Sequence, residues 1–157
     1  IYYGAADIAR VEILYRYGGV YIDADAERVR NFPEQYFNYD LFVLEEYPDK
    51  RWKRRIEVGI IGSSPNNEVI KSYIDQIGKS EQLMPVARTI GGTLFTKVVL
   101  EDYKDYDNIF FLDPELILPP SPSDYGGAWK NRLVKPVYRS EEVIMIHHYG
   151  STRNSYK

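Results

Sequence analysis

The sequence predicts an α/β fold, and three observations carry that prediction. Short apolar runs of strand length alternate along the chain with segments of helical periodicity. There is no internal repeat or low-complexity tract. And 157 residues with 44% hydrophobic and 15% aromatic content supply one core, so a single domain over 1–157 is expected.

Taken in order, Ile8, Val11, Leu14 and Tyr15 recur at helical spacing and predict a helix over Ala5–Tyr17, with Gly18-Gly19 as its stop. Val20–Asp23 reads as the strand that follows. Beyond a turn around Asn31–Pro33, strands are expected over Asp40–Glu45 and Ile56–Ile61, and a helix over Asn67–Ile77. Thr93–Leu100 reads as a helix entered through Gly91-Gly92 with Thr93 as N-cap. Asn108–Leu112 and Glu142–His147 complete the strands, and Pro119–Gly127, rich in Pro, Ser and Gly, reads as loop.

The chemistry concentrates at the end of the first strand. Strand alternation places Tyr21, Asp23 and Asp25 on one face and Val20 and Ile22 on the other. Two carboxylates held that close repel each other, and a bound divalent cation is the commonest reason for the arrangement. In α/β sheets, moreover, ligands gather at the carboxyl ends of strands. The pair therefore reads as a metal-diphosphate site. Asp7 and Arg10 share a helix face at i, i+3; by spacing alone they form a surface ion pair. His147 and His148 close the last apolar run and point to opposite faces, so only one of them can readily reach a metal.

Composition excludes other classes. With 20 Lys+Arg against 23 Asp+Glu and a net charge of -3, the chain lacks an electrostatic footprint for nucleic acid. The absence of cysteine excludes a disulfide framework and any thiolate metal site. No apolar run reaches the roughly 20 residues that span a bilayer, and the opening residues do not read as a signal-peptide pattern. A cytoplasmic location is the expectation, with a membrane-anchored lumenal protein as the alternative if a preceding segment exists. The basic run Lys50–Arg55 reads first as a solvated loop, second as a contact for an anionic acceptor or a membrane surface.

The run A-D-I-A-R-V-E-I-L-Y-R-Y-G-G-V-Y-I-D-A-D, Ala6–Asp25 with its flanking residues, resembles the signature of glycosyltransferase family 32, the DXD-containing sugar transferases. That family includes initiation mannosyltransferases, capsular polysaccharide enzymes and, more distantly, the large glucosylating toxins. Its elements occur here in register: Ala-Asp, an Arg three residues on, a helix, Gly-Gly, an aromatic, then the DXD. Thr89–Thr93 with Thr96 is similar to the family's loop ahead of a helix, and Ile146–Ser151 to its terminal His and Ser-Trp motif, with Thr152 where the Trp is expected and Arg153 as a substitute phosphate contact.

The resemblance implies a nucleotide-diphospho-sugar transferase of the GT-A type that lacks part of its N-terminal βα nucleotide-binding unit, a truncated enzyme. It implies Mn2+ or Mg2+ as cofactor, a UDP- or GDP-sugar donor, a glycan or other hydroxyl acceptor, and retention at the anomeric carbon. Asp23 and Asp25 are then the catalytic pair. Asp7, Arg10, Gly19, Tyr21, Asp23 and Ser151 would bind the donor, and Asp25 with His147 or His148 the metal. No residue is assigned as nucleophile. Acceptor choice is expected in the loops Glu46–Arg55 and Pro119–Lys130.

Two rival functions remain. A haloacid-dehalogenase-type phosphatase or phosphotransferase would use Asp23 as nucleophile and Asp25 as acid/base, although Ala26-Glu27 fits its pattern poorly. A non-catalytic sugar-binding fragment would bind without transfer. An EF-hand fails for want of its Gly and distal Glu.

Overall fold

The computed structural model describes residues 2–46, 54–80, 91–118 and 143–147. The first helix, α1, runs over Tyr2–Tyr17, followed by strands β1 (Gly19–Ile22) and β2 (Ala26–Arg28) and a 3-10 turn at Glu34–Asn38. Strands β3 (Leu41–Glu46) and β4 (Arg55–Ser63) lead into helix α2 (Glu68–Ser80). Helix α3 (Gly92–Lys97) continues as a π-helical turn over Val98–Asp102, and β5 (Ile109–Leu112), β6 (Ile117–Leu118) and β7 (Met145–His147) follow. The predicted α/β class holds.

These elements form two sheets. The larger has the order β1-β4-β3-β5, antiparallel except for the parallel β3/β5 pair; the smaller has the order β2-β7-β6, with β2/β7 antiparallel and β6/β7 parallel. Strand β3 is buried on both faces, and its alternation divides the core. Leu41 and Val43 join Val11 and Leu14 of α1, Val69, Ile70, Tyr73 and Ile77 of α2, and Phe95 of α3. Phe42 and Leu44 face Tyr36, Ile60, Leu112 and the β6/β7 residues Ile117 and Met145.

Local rules explain the boundaries. The amide of Gly18 donates to Leu14 O at 2.8 Å, and its φ of +66° is the left-handed conformation that ends α1. A Cβ at Gly18 would also meet Pro65 N at 2.8 Å and Ser63 O at 2.9 Å. Asn67 caps α2: its Oδ1 accepts the amides of Val69 (2.9 Å) and Ile70 (3.1 Å). The expected cap of α3 is corrected: Gly91, not Thr93, is the N-cap, and it makes no side-chain bond. Thr96 instead accepts the amide of Ile56 through Oγ1 at 2.9 Å, tying α3 to β4.

The end of the basic run has a structural use. Arg54 forms a two-pronged contact with Glu45 at 2.6 and 2.8 Å and lies over the Phe111 ring, while Arg55 reaches Glu46 at 3.7 Å. Lys50–Lys53 and the predicted Pro119–Gly127 loop lie outside the described residues.

Gly62 sits against Phe42 so closely that a Cβ would stand 2.0 Å from two ring carbons. Gly62→Ala is therefore expected to destabilise the fold by about 1 to 3 kcal/mol through overpacking. Chemical denaturation checks this, and an unchanged midpoint would contradict the packing.

Candidate metal and donor site

The site lies where the chain passes from one sheet to the other. Strand β1 ends at Ile22, the chain turns through Asp23, Ala24 and Asp25 with the Ala26 amide donating to Asp23 O at 3.0 Å, and β2 begins. The expectation that Tyr21, Asp23 and Asp25 share one face of a continuous strand is thus corrected: the two aspartates are turn residues. What joins them is the β2/β7 register, which sets Ala26 opposite His147 and so brings the imidazole beside the turn.

His147 Nε2 stands 3.1 Å from Asp25 Oδ1 and 3.8 Å from Asp23 Oδ2. One potential ligand atom from each of Asp23, Asp25 and His147 lies within 4.8 Å of the others. His147 is 5% exposed, while the aspartates remain open enough to meet a ligand. The expected partner His148 and the donor contact Ser151, with Thr152 and Arg153, fall outside the described residues.

Arg10 locks the opposite side of Asp23. Only 8% exposed, its guanidinium pairs with Asp7 at 2.7 Å, approaches Asp23 Oδ1 at 3.5 Å, donates to Val58 O and lies 4.5 Å over the Tyr21 ring. Spacing alone predicts a surface pair for Asp7 and Arg10; burial of Arg10 corrects that. Its Nε is buried and makes no hydrogen bond among the described residues. The Tyr21 hydroxyl donates to Asp23 Oδ1 at 2.7 Å, and burial, reinforced by that bond, pushes the phenol up to about 12. With Oδ1 held by Tyr21 and Arg10, Oδ2 is the oxygen that faces His147. Burial also raises the carboxyl of Asp7, an effect that Arg10 opposes and Asp23 reinforces.

Strand β4 supplies the floor. Its pairing with β3 jumps from Val43↔Ile61 to Leu44↔Glu57, so Val58, Gly59 and Ile60 form a bulge next to the site. Main-chain groups of the bulge serve the site: Val58 O accepts Arg10, and Gly59 O accepts the Asp23 amide at 2.8 Å, one step beyond the Ile22↔Ile60 pair of β1 and β4. A Cβ at Gly59 would meet Asp23 Oδ2 at 2.9 Å and His147 Cε1 at 3.1 Å. Only glycine leaves that space open.

This floor is what sequence reading missed. A glycine inside an apolar strand run, Val58-Gly59-Ile60-Ile61, is the signal for a bulge or a close approach. Of the residues expected to bind a donor, Asp7, Arg10, Tyr21 and Asp23 are brought together. Gly19 is not: it pairs with Ser63 at the far end of β1, about 13 Å along the strand from Asp23.

Two carboxylates and an imidazole around an open cradle fit a hard to borderline divalent cation such as Mn2+ or Mg2+. Among the described residues, no helix is long and apolar enough to cross a membrane.

Comparison with known proteins bears on the family and the fold. The model of a family described as capsular polysaccharide synthesis protein matches residues 2–78, which include α1, the Asp23–Asp25 turn, the β4 bulge and most of α2. No curated protein matches the chain. Among solved structures, the chain is similar to one described as "PaToxG Glycosyltransferase", at 24% identity and a TM-score of 0.55. The similarity covers 68% of this chain and 38% of that one, so the chain spans well under half the length of the structure it resembles. Both matches accord with the resemblance to glycosyltransferase family 32. The chain is thus similar to the capsular polysaccharide synthesis family over residues 2–78 and shares its fold with a glycosyltransferase structure over 68% of its length.

Proposed function

We propose that this chain is the donor-handling part of a metal-dependent glycosyltransferase that moves a sugar from a nucleoside-diphosphate sugar, carried on UDP or GDP, to a hydroxyl of a glycan or polysaccharide, with retention at the anomeric carbon. The observation that carries this reading is the Asp23–Asp25–His147 cluster set beside the buried Arg10 at the joint of the two sheets.

Asp25 and His147, with Asp23 Oδ2, would hold Mn2+ or Mg2+, and such a cation offsets the negative charge that develops on a departing diphosphate. The protein's own part is positional. Tyr21 and Arg10 fix one oxygen of Asp23, the β4 bulge fixes the Asp23 main chain, and the burial of His147 holds its ring against the turn. Asp7 and Arg10 lie next to this cluster, in place to contact donor hydroxyls.

The arrangement favours transfer over the phosphotransferase alternative. There Asp23 would have to attack as a nucleophile, yet a phenol hydroxyl and a guanidinium already draw on Oδ1.

A panel of UDP- and GDP-sugars assayed for Mn2+-dependent hydrolysis and transfer tests the proposal. Turnover of at least one donor, lost on chelation, is expected. Release of phosphate from simple phosphomonoesters without turnover of any nucleotide sugar would establish the phosphotransferase instead.

A further inference from the structure

The bulge that opens the floor of the site also brings a third carboxylate to it. Glu57 Oε1 accepts the Gly59 amide at 2.9 Å. The same oxygen stands 3.2 Å from the point where a Cβ on Gly59 would lie, and that point is 2.9 Å from Asp23 Oδ2 and 3.1 Å from His147 Cε1. A space of one methyl group is thus bordered by Glu57, Asp23 and His147 together.

Capping one bulge amide does not require a charge, because a glutamine oxygen would accept the same bond. A third carboxylate beside two others adds repulsion unless a cation lies among them. No lysine or arginine pairs with Glu57 among the described residues.

We propose that Glu57 is a third carboxylate of the cation site: the Gly59 amide holds it in place, and its negative charge tightens the site's grip on a divalent ion without direct ligation. The proposal rests on reading Asp23, Asp25 and His147 as that site. It makes Glu57 a positioning and charge-setting residue, supplied by a strand on which no motif drew attention.

Mn2+ titration followed by electron paramagnetic resonance separates the possibilities, using the parent protein, Asp25→Ala, Glu57→Gln and Glu57→Asp. Glu57→Gln keeps the amide contact and removes the charge; it is expected to lower Mn2+ affinity about tenfold, the lower end of what outer groups contribute at metal sites. Glu57→Asp keeps the charge on a shorter arm and is expected to bind more tightly than Glu57→Gln. Parent-like affinity in Glu57→Gln, or equal losses in both variants, overturns the role of the charge while leaving the site itself standing. If the parent and Asp25→Ala bind Mn2+ equally, the cation site fails first, and the inference about Glu57 falls with it.

Discussion

Replacing Asp25 by alanine is expected to remove divalent-cation binding and to lower cation-dependent turnover of a nucleotide sugar by about 100- to 1,000-fold, the cost typical of losing a principal stabiliser of developing charge. The expectation follows from where Asp25 sits. It is the most enclosed of the two turn aspartates, 12% exposed against 28% for Asp23, and lies nearer His147, at 3.1 Å. Asp23 has one oxygen engaged by Tyr21 and Arg10, whereas Asp25 Oδ1 is the carboxylate oxygen that meets His147. The turn main chain is held by the Ala26 and Asp23 amides, and circular dichroism of Asp25→Ala checks that the fold is kept before its activity is read. Calorimetric titration with Mn2+ and a donor-hydrolysis assay read the two effects separately. Parent-like turnover by a folded Asp25→Ala protein would remove Asp25 from the site.

The residues that made this site legible in the sequence are those that signal locally. Gly18-Gly19 marks the end of α1 because only a left-handed residue closes the helix there, and the apolar periods of α1, α2, β3 and β4 follow from which faces are buried. The run through Asp25 places Asp7, Arg10, Tyr21 and Asp23 close to one another because a helix, a tight stop and a strand leave little freedom between them.

Two features are set by pairing between distant segments, so local periodicity does not specify them. The meeting of His147 with Asp25 is expected only through the family resemblance, not from local pattern: it is made by strand pairing across 122 residues, and nothing in either segment alone specifies that Ala26 will face His147. The β4 bulge, likewise, is defined against β3: Gly59 in its apolar run signals a bulge or a close approach, but the mismatch that makes the bulge lies between two strands. Strand alternation carried past Ile22 gave the right neighbours for the wrong reason, since a turn, not a pleat, aims the two aspartates.

The largest stability effect at the site is expected at Arg10. Arg10→Met keeps a long, helix-compatible side chain and discards the guanidinium, with its contacts to Asp7, Asp23, Val58 O and the Tyr21 ring. Loss of charge-assisted hydrogen bonds in this buried setting should cost about 2 to 3 kcal/mol at neutral pH, moderated because Asp7 and Asp23 are partly exposed and regain water. The cost should also depend on pH. Burial raises the folded-state carboxyl of Asp7 above its ordinary value of 3.8, with Arg10 pulling it back down. A raised acid favours the folded state in its protonated form: that contribution is fully present below 3.8 and is lost as pH rises through the folded value. Without Arg10 the folded value moves higher still, so the charged Asp7 of the variant is penalised at neutral pH and relieved on acidification. Urea unfolding of both proteins at pH 7 and near pH 4 should therefore give a smaller difference in the acidic condition. A difference that stays constant between the two would mean that Arg10 acts through packing on Tyr21 and the Val58 carbonyl, with its pairing to Asp7 contributing nothing to stability.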